Sequence, residues 1–421
     1  MHLLSDPDAL LKALPALFAP VAGEAAIGLA VSGGADSLGL MLLTAHWART
    51  LEHPPDLIVY SVDHGLRPEA EAEVRLVIAE AQRLGLVARG LRWDGNKPTS
   101  GLQAAARQAR YRLIGVAMRD DGASVLLTAH HRDDQAETVL MRMAHGSGLE
   151  GLRGMEPLAE VEGVRVFRPL LAVPRDTLGA IVAIAGLIPV ADPSNDDRHY
   201  ERVRWRQALP QLAALGLDAA RLTQLAQRAG EADAAIAQWA ATSFSELVTV
   251  DVLGAARLPV VGLGKLPRAA GVKLLAQLLD MTGGGQRPRA LGVVERLRDN
   301  LVLDASVKGL TLLGVAVRRR GGDIWFSREL GRHPAPRVAI GPEASLIWDG
   351  RFNIANRSRS AVIGVAMAGS MSRQRAEGLL GEKLTSPIEA IRSAPLTTTE
   401  GGRILAIGAH RLSGDVTVTL A

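Results

Sequence analysis

The chain has 421 residues, of which 48% are hydrophobic and 22% charged, with a net charge of +4 and no cysteine. That length exceeds one ordinary hydrophobic core and sets an expectation of two or three domains. The missing cysteines exclude disulfides, thiolate zinc sites, iron–sulfur ligation and any persulfide relay through the protein. The basic residues are mostly arginine, whose planar fork matches phosphate; this permits a nucleic-acid partner without demanding one, since a solvated basic surface is the commoner reason.

The segment Met1 to Pro20 carries Asp6 and Asp8, spaces its apolar residues as a helix does and has no basic leader, so it does not read as a signal peptide. The longest apolar run, Thr177 to Val190, contains glycines and falls short of the roughly 20 residues of a membrane span. A cytoplasmic protein with no membrane partner is expected. After the first helix, apolar runs at Ala26–Val31, Leu57–Val62, Val87–Trp93, Ser124–Ala129 and Val164–Leu170 read as strands, with helices in most of the gaps. Their apolarity is continuous, which argues for strands buried on both faces and hence a parallel sheet. The expectation is a doubly wound α/β domain around a mainly parallel five-stranded sheet. In such sheets ligands sit beyond the carboxyl ends of strands near a switch point.

The first polar cluster in such a place is Ser32-Gly33-Gly34-Ala35-Asp36-Ser37, between the strand Ala25 to Val31 and the helical pattern Leu38 to Trp47. Paired glycines let backbone approach an oxyanion, and the free N–H groups of the first helical turn point at it. The lysine of a Walker A loop is missing, which implies a different point of cleavage in the triphosphate. Asp36 and Ser37 suit either Mg²⁺ on a pyrophosphate or a helix cap. The hexamer resembles the SGGxDS loop of the PP-loop ATP pyrophosphatases, which adenylate an oxygen and release pyrophosphate.

The second cluster, Asp63-His64-Gly65-Leu66-Arg67, offers a carboxylate to a nucleotide's sugar or base and Arg67 to its phosphates, or is a plain loop. The segment Leu102 to Arg112 reads as a helix with Arg107 and Arg110 on one side, a pattern common on solvated faces. The third cluster runs from Ala129 through His130-His131-Arg132-Asp133-Asp134-Gln135-Ala136-Glu137 to Thr138. Adjacent histidines on extended chain point opposite ways, which argues against zinc. Asp133 and Glu137 share a helix face near its N-terminus, a placement that also caps a helix.

Together these pieces resemble the tRNA(Ile)-lysidine synthetase family within the PP-loop group. The matching residues are Ser32 to Ser37, Val62 to Arg67, Ala106-Arg107 with Arg110-Tyr111, and His130 to Thr138. Gly146-Ser147-Gly148, Gly151-Leu152, Gly154-Met155, Arg168-Pro169-Leu170-Leu171 and Asp192-Pro193-Ser194-Asn195-Asp196 follow in order. The match covers Ala25 to Leu212. Departures are Gln103, where the family usually has Glu, which removes a charge partner for Arg107 or Arg110, and Val203, where it has Asn, which puts a hinge or RNA contact in doubt.

The resemblance implies a Rossmann-like fold and a carbon–nitrogen ligase. ATP adenylates O2 of the wobble cytidine in a tRNA(Ile) with a CAU anticodon, and the side-chain amine of free L-lysine then attacks C2 and expels AMP. Ser32, Gly33, Gly34, Ala35, Asp36 and Ser37 would bind ATP, with Asp63 at its nucleoside end. Asp36 and Asp133 would share Mg²⁺ and acid/base duties, Arg110 would stabilise the adenylated intermediate, and His130 would face the cytosine. Arg107, His131, Asp134 and Glu137 would contact substrate. Neutralising a lysine amine of pKa about 10.4 at pH 7 costs about 4.6 kcal/mol unless a carboxylate takes the proton.

From Tyr200 the chain carries Arg202, Arg204 and Arg206; Arg202 and Arg206 share a helix face that grips a phosphate backbone or is merely solvated. Alanine- and leucine-rich helices continue to about Leu247, and a helical unit reaches Asn300 through the loop Gly283 to Arg289. Strands are expected at Lys308–Arg318 and Asp323–Ser327, joined by the turn Arg319-Arg320-Gly321-Gly322. Arg332 to Arg337 reads as a linker, and a small α+β unit containing Trp348-Asp349-Gly350-Arg351-Phe352 follows. The expected division is a PP-loop domain over 1–212, a mostly helical tRNA-contacting domain over 213–330 and the α+β domain over 338–421. The oligomeric state stays open between monomer and homodimer. Three other classes compete: a PP-loop thiolase, whose sulfur-relaying forms need cysteines that are absent; an amide-forming synthetase, which would need an ammonia-producing domain or an ammonia entry and has no cysteine nucleophile here for glutamine hydrolysis; and a nucleotide-binding module, which the dense cluster at His130 to Glu137 disfavours.

Overall fold

A computed structural model describes residues 2–190, 197–285, 290–304, 306, 308–331 and 335–421. The piece Asp192 to Asp196, the end of the glycine loop from Gln286 to Arg289 and the linker residues Arg332 to Pro334 lie outside the described residues. The chain divides into two compact units, Met1–Glu231 and Ala232–Ala421. Among the described residues no helix is long and apolar enough to cross a membrane.

The first unit runs α1 (Pro7–Phe18), β1 (Ala26–Ala30), α2 (Ala35–Ala48), β2 (Asp56–Asp63), α3 (Ala70–Arg83), β3 (Val87–Arg92) and α4 (Leu102–Asp121). It continues with β4 (Val125–Leu127), α5 (Arg132–Ala144), α6 (Leu149–Leu152), β5 (Leu158–Val161), β6 (Val164–Phe167), α7 (Arg175–Ile184), α8 (Glu201–Ala214) and the start of α9 (Ala219–Leu247). The sheet has the order β3-β2-β1-β4-β6-β5. All five expected strands are present and pair in parallel. The sheet also carries a sixth, β5, which returns antiparallel on β6 through a turn at Glu162 (φ 51°) and Gly163 (φ 74°).

Continuous apolarity marks the centre, where Ile27, Leu29, Val59 and Val125 to Leu127 are fully buried. It does not carry to β3, an edge strand with Val87, Arg89, Gly90 and Arg92 exposed. Helices cover both faces. Leu10, Leu14, Phe18, Leu38, Met41, Trp47 and Leu178 pack on one, with Phe18 stacked on Trp47 at 4.8 Å. Tyr60, Tyr111, Ile114, Met118 and Val166 form the core on the other. The strand order reverses at β1, between β2 and β4, so the loops after β1 and β4 emerge side by side at the switch point.

One further loop is fixed by α5. The Gln135 side chain accepts from Met155 N (2.7 Å) and donates to Met155 O (3.0 Å), while Arg142 Nη1 donates to the carbonyls of Gly151 and Gly154 (2.6 Å each). Gly154 has φ +73°, and a Cβ there would lie 2.7 Å from three atoms of the Gln135 amide.

The second unit contains the rest of α9, then β7 (Thr249–Val250), β8 (Ala256–Pro259), α10 (Val260–Lys265), α11 (Arg268–Gly283), α12 (Leu291–Leu303), β9 (Gly309–Leu312), β10 (Val315–Arg320) and β11 (Asp323–Arg328). The expected strand Lys308–Arg318 is two strands, because the chain turns at Leu313 (φ 53°) and Gly314 (φ 79°) and β9 pairs back on β10. With β7 and β8 they make a five-stranded sheet packed on α11 and α12. Beyond it lie β12 (Val338–Ile340), β13 (Ser345–Trp348), β14 (Phe352–Asn356), β15 (Ile363–Met367), α13 (Arg373–Leu380), α14 (Ile388–Ser393), β16 (Pro395–Thr399), β17 (Ile404–Ile407), β18 (His410–Arg411) and β19 (Val416–Leu420). Trp348 to Phe352 is the hairpin between β13 and β14. The Asp349 carboxylate accepts there from Arg328 Nε (3.1 Å) and Arg351 Nε (2.9 Å), so this charged motif holds the fold together.

Gly154→Ala should destabilise the first unit by about 1–3 kcal/mol, through its left-handed φ and the clash with Gln135. Thermal unfolding together with limited proteolysis between Gly146 and Met155 measures this; an unchanged melting point and cleavage pattern would refute the lock.

Candidate active site

The loop after β1 places Gly33 at φ +87°, and Gly34, at φ −72° and ψ 160°, is the N-cap of α2 with no side chain capping it. Among the described residues a Cβ on Gly33 would meet Val190 at 3.1 Å and Val77 at 3.3 Å, whereas one on Gly34 would meet nothing nearer than Ser32 Oγ at 3.9 Å. The backbone is thus packed behind Gly33 and open in front of Gly34. Ser37 Oγ closes the turn by donating to Gly34 O (2.9 Å) and accepting from Ser32 N (3.1 Å). First-turn N–H groups have no partner within their own helix, so Ala35, Asp36 and Ser37 present donors to an anion in that space.

Asp36 stands in this first turn. Its Oδ2 lies 3.5 Å from His131 Nε2, and its Oδ1 lies 3.8 Å from Arg175 Nε, buried and without a hydrogen-bond partner among the described residues. Burial works against its charge, but the hydrogen bond and charge of His131, with Arg175 and Arg206 farther out, hold its carboxyl below the usual value. Ser32 to Ser37 and the His130 cluster therefore meet, as their places after adjacent strands require.

Within that cluster the two histidines have different environments. His131 is buried and caps α5: Asp134 N donates to its Nδ1 (3.3 Å), and its own N donates to Asp134 Oδ2 (3.0 Å). Burial opposes protonation of the ring, but Asp36, Asp134 and Asp133 together raise its pKa. His130 instead shares a hydrogen bond between its Nδ1 and Thr128 Oγ1 (2.9 Å). Burial, then the charges of Arg168, Arg202, Arg107 and Arg110, push it well below the ordinary imidazole value, so it is neutral at pH 7.

Asp133 Oδ2 accepts from Arg175 N (3.0 Å), fixing the start of α7. Glu137 is fully buried, and its two oxygens accept from Arg202 Nε (2.6 Å) and Arg206 Nε (2.7 Å). Asp134 Oδ1 accepts from Arg202 Nη2 (2.9 Å). The arginine pair on α8 is therefore engaged with α5 while each side chain stays partly exposed. Beside this cluster is a cavity of about 250 Å³ lined by Asp133, Glu137, Arg175 and Arg206, with Leu209, Pro210, Ala213 and Ala219 as its apolar wall.

Arg107 and Arg110 sit over the Tyr111 ring at 5.1 and 5.4 Å, and burial lowers the pKa of Arg110. Asp63 is buried, and its Oδ1 accepts from Gly65 N (2.6 Å), which ties it to its own loop. Arg67 pairs with Glu73 at 3.1 Å. Gln103 is exposed, and Val203 is buried inside the unit. Among the described residues no group of three or more His, Cys, Asp and Glu side chains is placed to hold a metal.

A PP-loop domain model matches residues 8–213. The chain is 48% identical to a tRNA(Ile)-lysidine synthase of Rhodopseudomonas palustris over 68% of its own length and 82% of the relative's. The chain belongs to the tRNA(Ile)-lysidine synthase family. Relatives of the same name from Bradyrhizobium sp. and Methylobacterium nodulans are 42% and 44% identical, each over 72% of this chain and over 86% and 89% of their own lengths.

In this member of the family, sequence reasoning missed two arginines. Arg175 lies beside Asp36 and lines the cavity; its position directly after Pro174, at the start of a helix, was the available signal. Arg168 is buried, donates to Glu156 O (2.7 Å) and acts electrostatically on His130. It stood within a quoted motif, but an arginine in an apolar run does not announce where its head goes.

Glu137→Ala should destabilise the unit that contains it by about 3 kcal/mol, because it strands two arginines. Urea unfolding of that unit checks this, and a loss below about 1 kcal/mol would mean that water already screens the cluster.

Proposed function

We infer that the chain is a tRNA(Ile)-lysidine synthase, an ATP-dependent ligase acting on the wobble cytidine of a tRNA(Ile) with a CAU anticodon in the cytoplasm. The observation that carries the inference is that Arg175 and Asp133 link the phosphate loop to an amphipathic cavity. Two reacting halves, a nucleotide and an amine, then lie within reach of one another.

Ser32 to Ser37 hold the triphosphate. The O2 atom of cytidine attacks the α-phosphorus, the bond to the bridging oxygen breaks, and pyrophosphate leaves along the α2 N-terminus. The buried, unpartnered Oδ1 of Asp36 and the open space before Gly34 fit a Mg²⁺ bound by one carboxylate and substrate phosphates. That ion, when bound, would neutralise charge on the leaving group. His130, neutral and anchored to Thr128, faces the extruded cytosine, and Arg110 with Arg107 stabilises the phosphate charge of the adenylated intermediate.

Free L-lysine is the amine. The cavity matches it by parts: Arg175 and Arg206 for the α-carboxylate, Leu209, Pro210 and Ala213 for the methylenes, and Asp133 to take the proton from the side-chain ammonium. The nitrogen attacks C2, the C2–O2 bond breaks, and AMP departs with the oxygen. Glu137, Asp134 and His131 support this site from beneath, and Asp63 shapes its nucleoside end through its loop. Residues 213–330 and 338–421 are proposed to grip the body of the tRNA.

The protein incubated with ATP, labelled lysine and isoleucine-tRNA transcripts should label the CAU transcript and not the GAU one. Asp36→Ala should abolish labelling without lowering the melting point. Folded wild-type protein that labels neither transcript would sink the reading.

A further inference from the structure

We propose that His131 is a positioning residue whose Nε2–H fixes the orientation of the Asp36 carboxylate in the nucleotide site. This rests on the assignment of Asp36 to adenylation made above. The α5 N-terminus is capped by His131 itself, Asp134 N donating to Nδ1 at 3.3 Å. An imidazole whose Nδ1 accepts a hydrogen bond carries its proton on Nε2.

That nitrogen lies between two carboxylates, 3.5 Å from Asp36 Oδ2 and 3.3 Å from Asp134 Oδ2. Asp134 already has other partners, accepting from His131 N at Oδ2 (3.0 Å) and from Arg202 at Oδ1 (2.9 Å). Among the described residues, Asp36 has Arg175 at 3.8 Å beside its other oxygen and no hydrogen-bond partner there. The carboxylate with fewer partners gains more from the donor. His131 is 1% exposed and offers no surface to substrate, so its effect passes through Asp36.

A cap residue is normally short: Ser, Asp, Asn or Thr completes one bond and ends. Histidine at this position completes the same bond and extends a ring beyond it. The cap thus becomes a rigid strut from α5 to the first turn of α2, joining loops after two adjacent strands.

Two substitutions separate the functions. In His131→Asn the amide oxygen takes the place of Nδ1 and keeps the cap, but no atom reaches Asp36. In His131→Gln the longer amide reaches the place of Nε2 but leaves the cap empty. For adenylation, followed as CAU-dependent pyrophosphate release, His131→Asn should lower kcat by about 10–100-fold with the KM for lysine unchanged and the melting point close to wild type. His131→Gln should recover part of that rate while melting about 2–4 °C lower. Combined with Asp36→Asn, His131→Asn should cost nothing further.

Wild-type turnover in His131→Asn, no recovery in His131→Gln, or independent multiplication with Asp36→Asn would each overturn the proposal. A ¹⁵N-histidine spectrum of the full chain tests the contact apart from catalysis. The His131 signals, assigned by their loss in the variants, should show a proton on Nε2 and should move in Asp36→Asn. An unprotonated Nε2, or no movement, overturns the proposal whether or not the enzyme turns over. If the wild-type protein fails to modify tRNA, the functional reading falls and the spectrum still decides the contact.

Discussion

The pairing of β1 with β4 is the constraint on which the site depends. Ile27 to Leu29 lie in register with Val125 to Leu127, and β2 flanks β1 on the opposite side, so the direction in which the sheet is built reverses there. Residues almost a hundred positions apart are brought to the same edge with no need for contacts of their own. The glycine loop follows one strand and the histidine pair the other. Both strands are fully buried at their centres, so the apolar core itself sets the spacing of the polar groups above it.

Charge in the site is sorted by depth. The neutral histidine, His130, stands among arginines, whereas His131 stands among carboxylates. The two rings are adjacent in sequence and alternate in direction, as extended chain demands. One dipeptide thereby serves two electrostatic environments. Beneath them Glu137 accepts from Arg202 and Arg206 and so places a buried carboxylate between two arginines. The chemistry proposed needs such separation, because phosphates that carry negative charge and an ammonium that must lose a proton call for opposite surroundings.

Much of this was legible in the sequence. The strands of the first unit show as apolar runs, and the phosphate loop as glycines between a strand and a helix. What stayed hidden involves partners that sequence separates. Glu137 meets Arg202 and Arg206 across 65 and 69 residues. The signal was present as matching periods, three residues between Asp134 and Glu137 and four between Arg202 and Arg206, but a period says only that a face exists. The strand β5 is short and half exposed, and the turn between β9 and β10 begins at Leu313, a residue with no turn chemistry of its own. Asp63 stands at the expected end of its strand, yet its orientation follows from a hydrogen bond to Gly65 that no spacing rule supplies.

The two margins of the first unit's sheet have a further consequence. A sheet with unpaired margins invites another chain to add a strand, and the usual defences are short strands, charge and twist. On one side β3 presents Arg89 and Arg92 outward. On the other β5 is only four residues long, runs against its neighbour and carries exposed Glu160. Margins of opposite strand direction, each carrying charged side chains, offer no uniform template for recruitment. The strand that sequence periodicity overlooked thus helps protect the nascent domain from fibrillar self-association while its long-range parallel pairs are still forming.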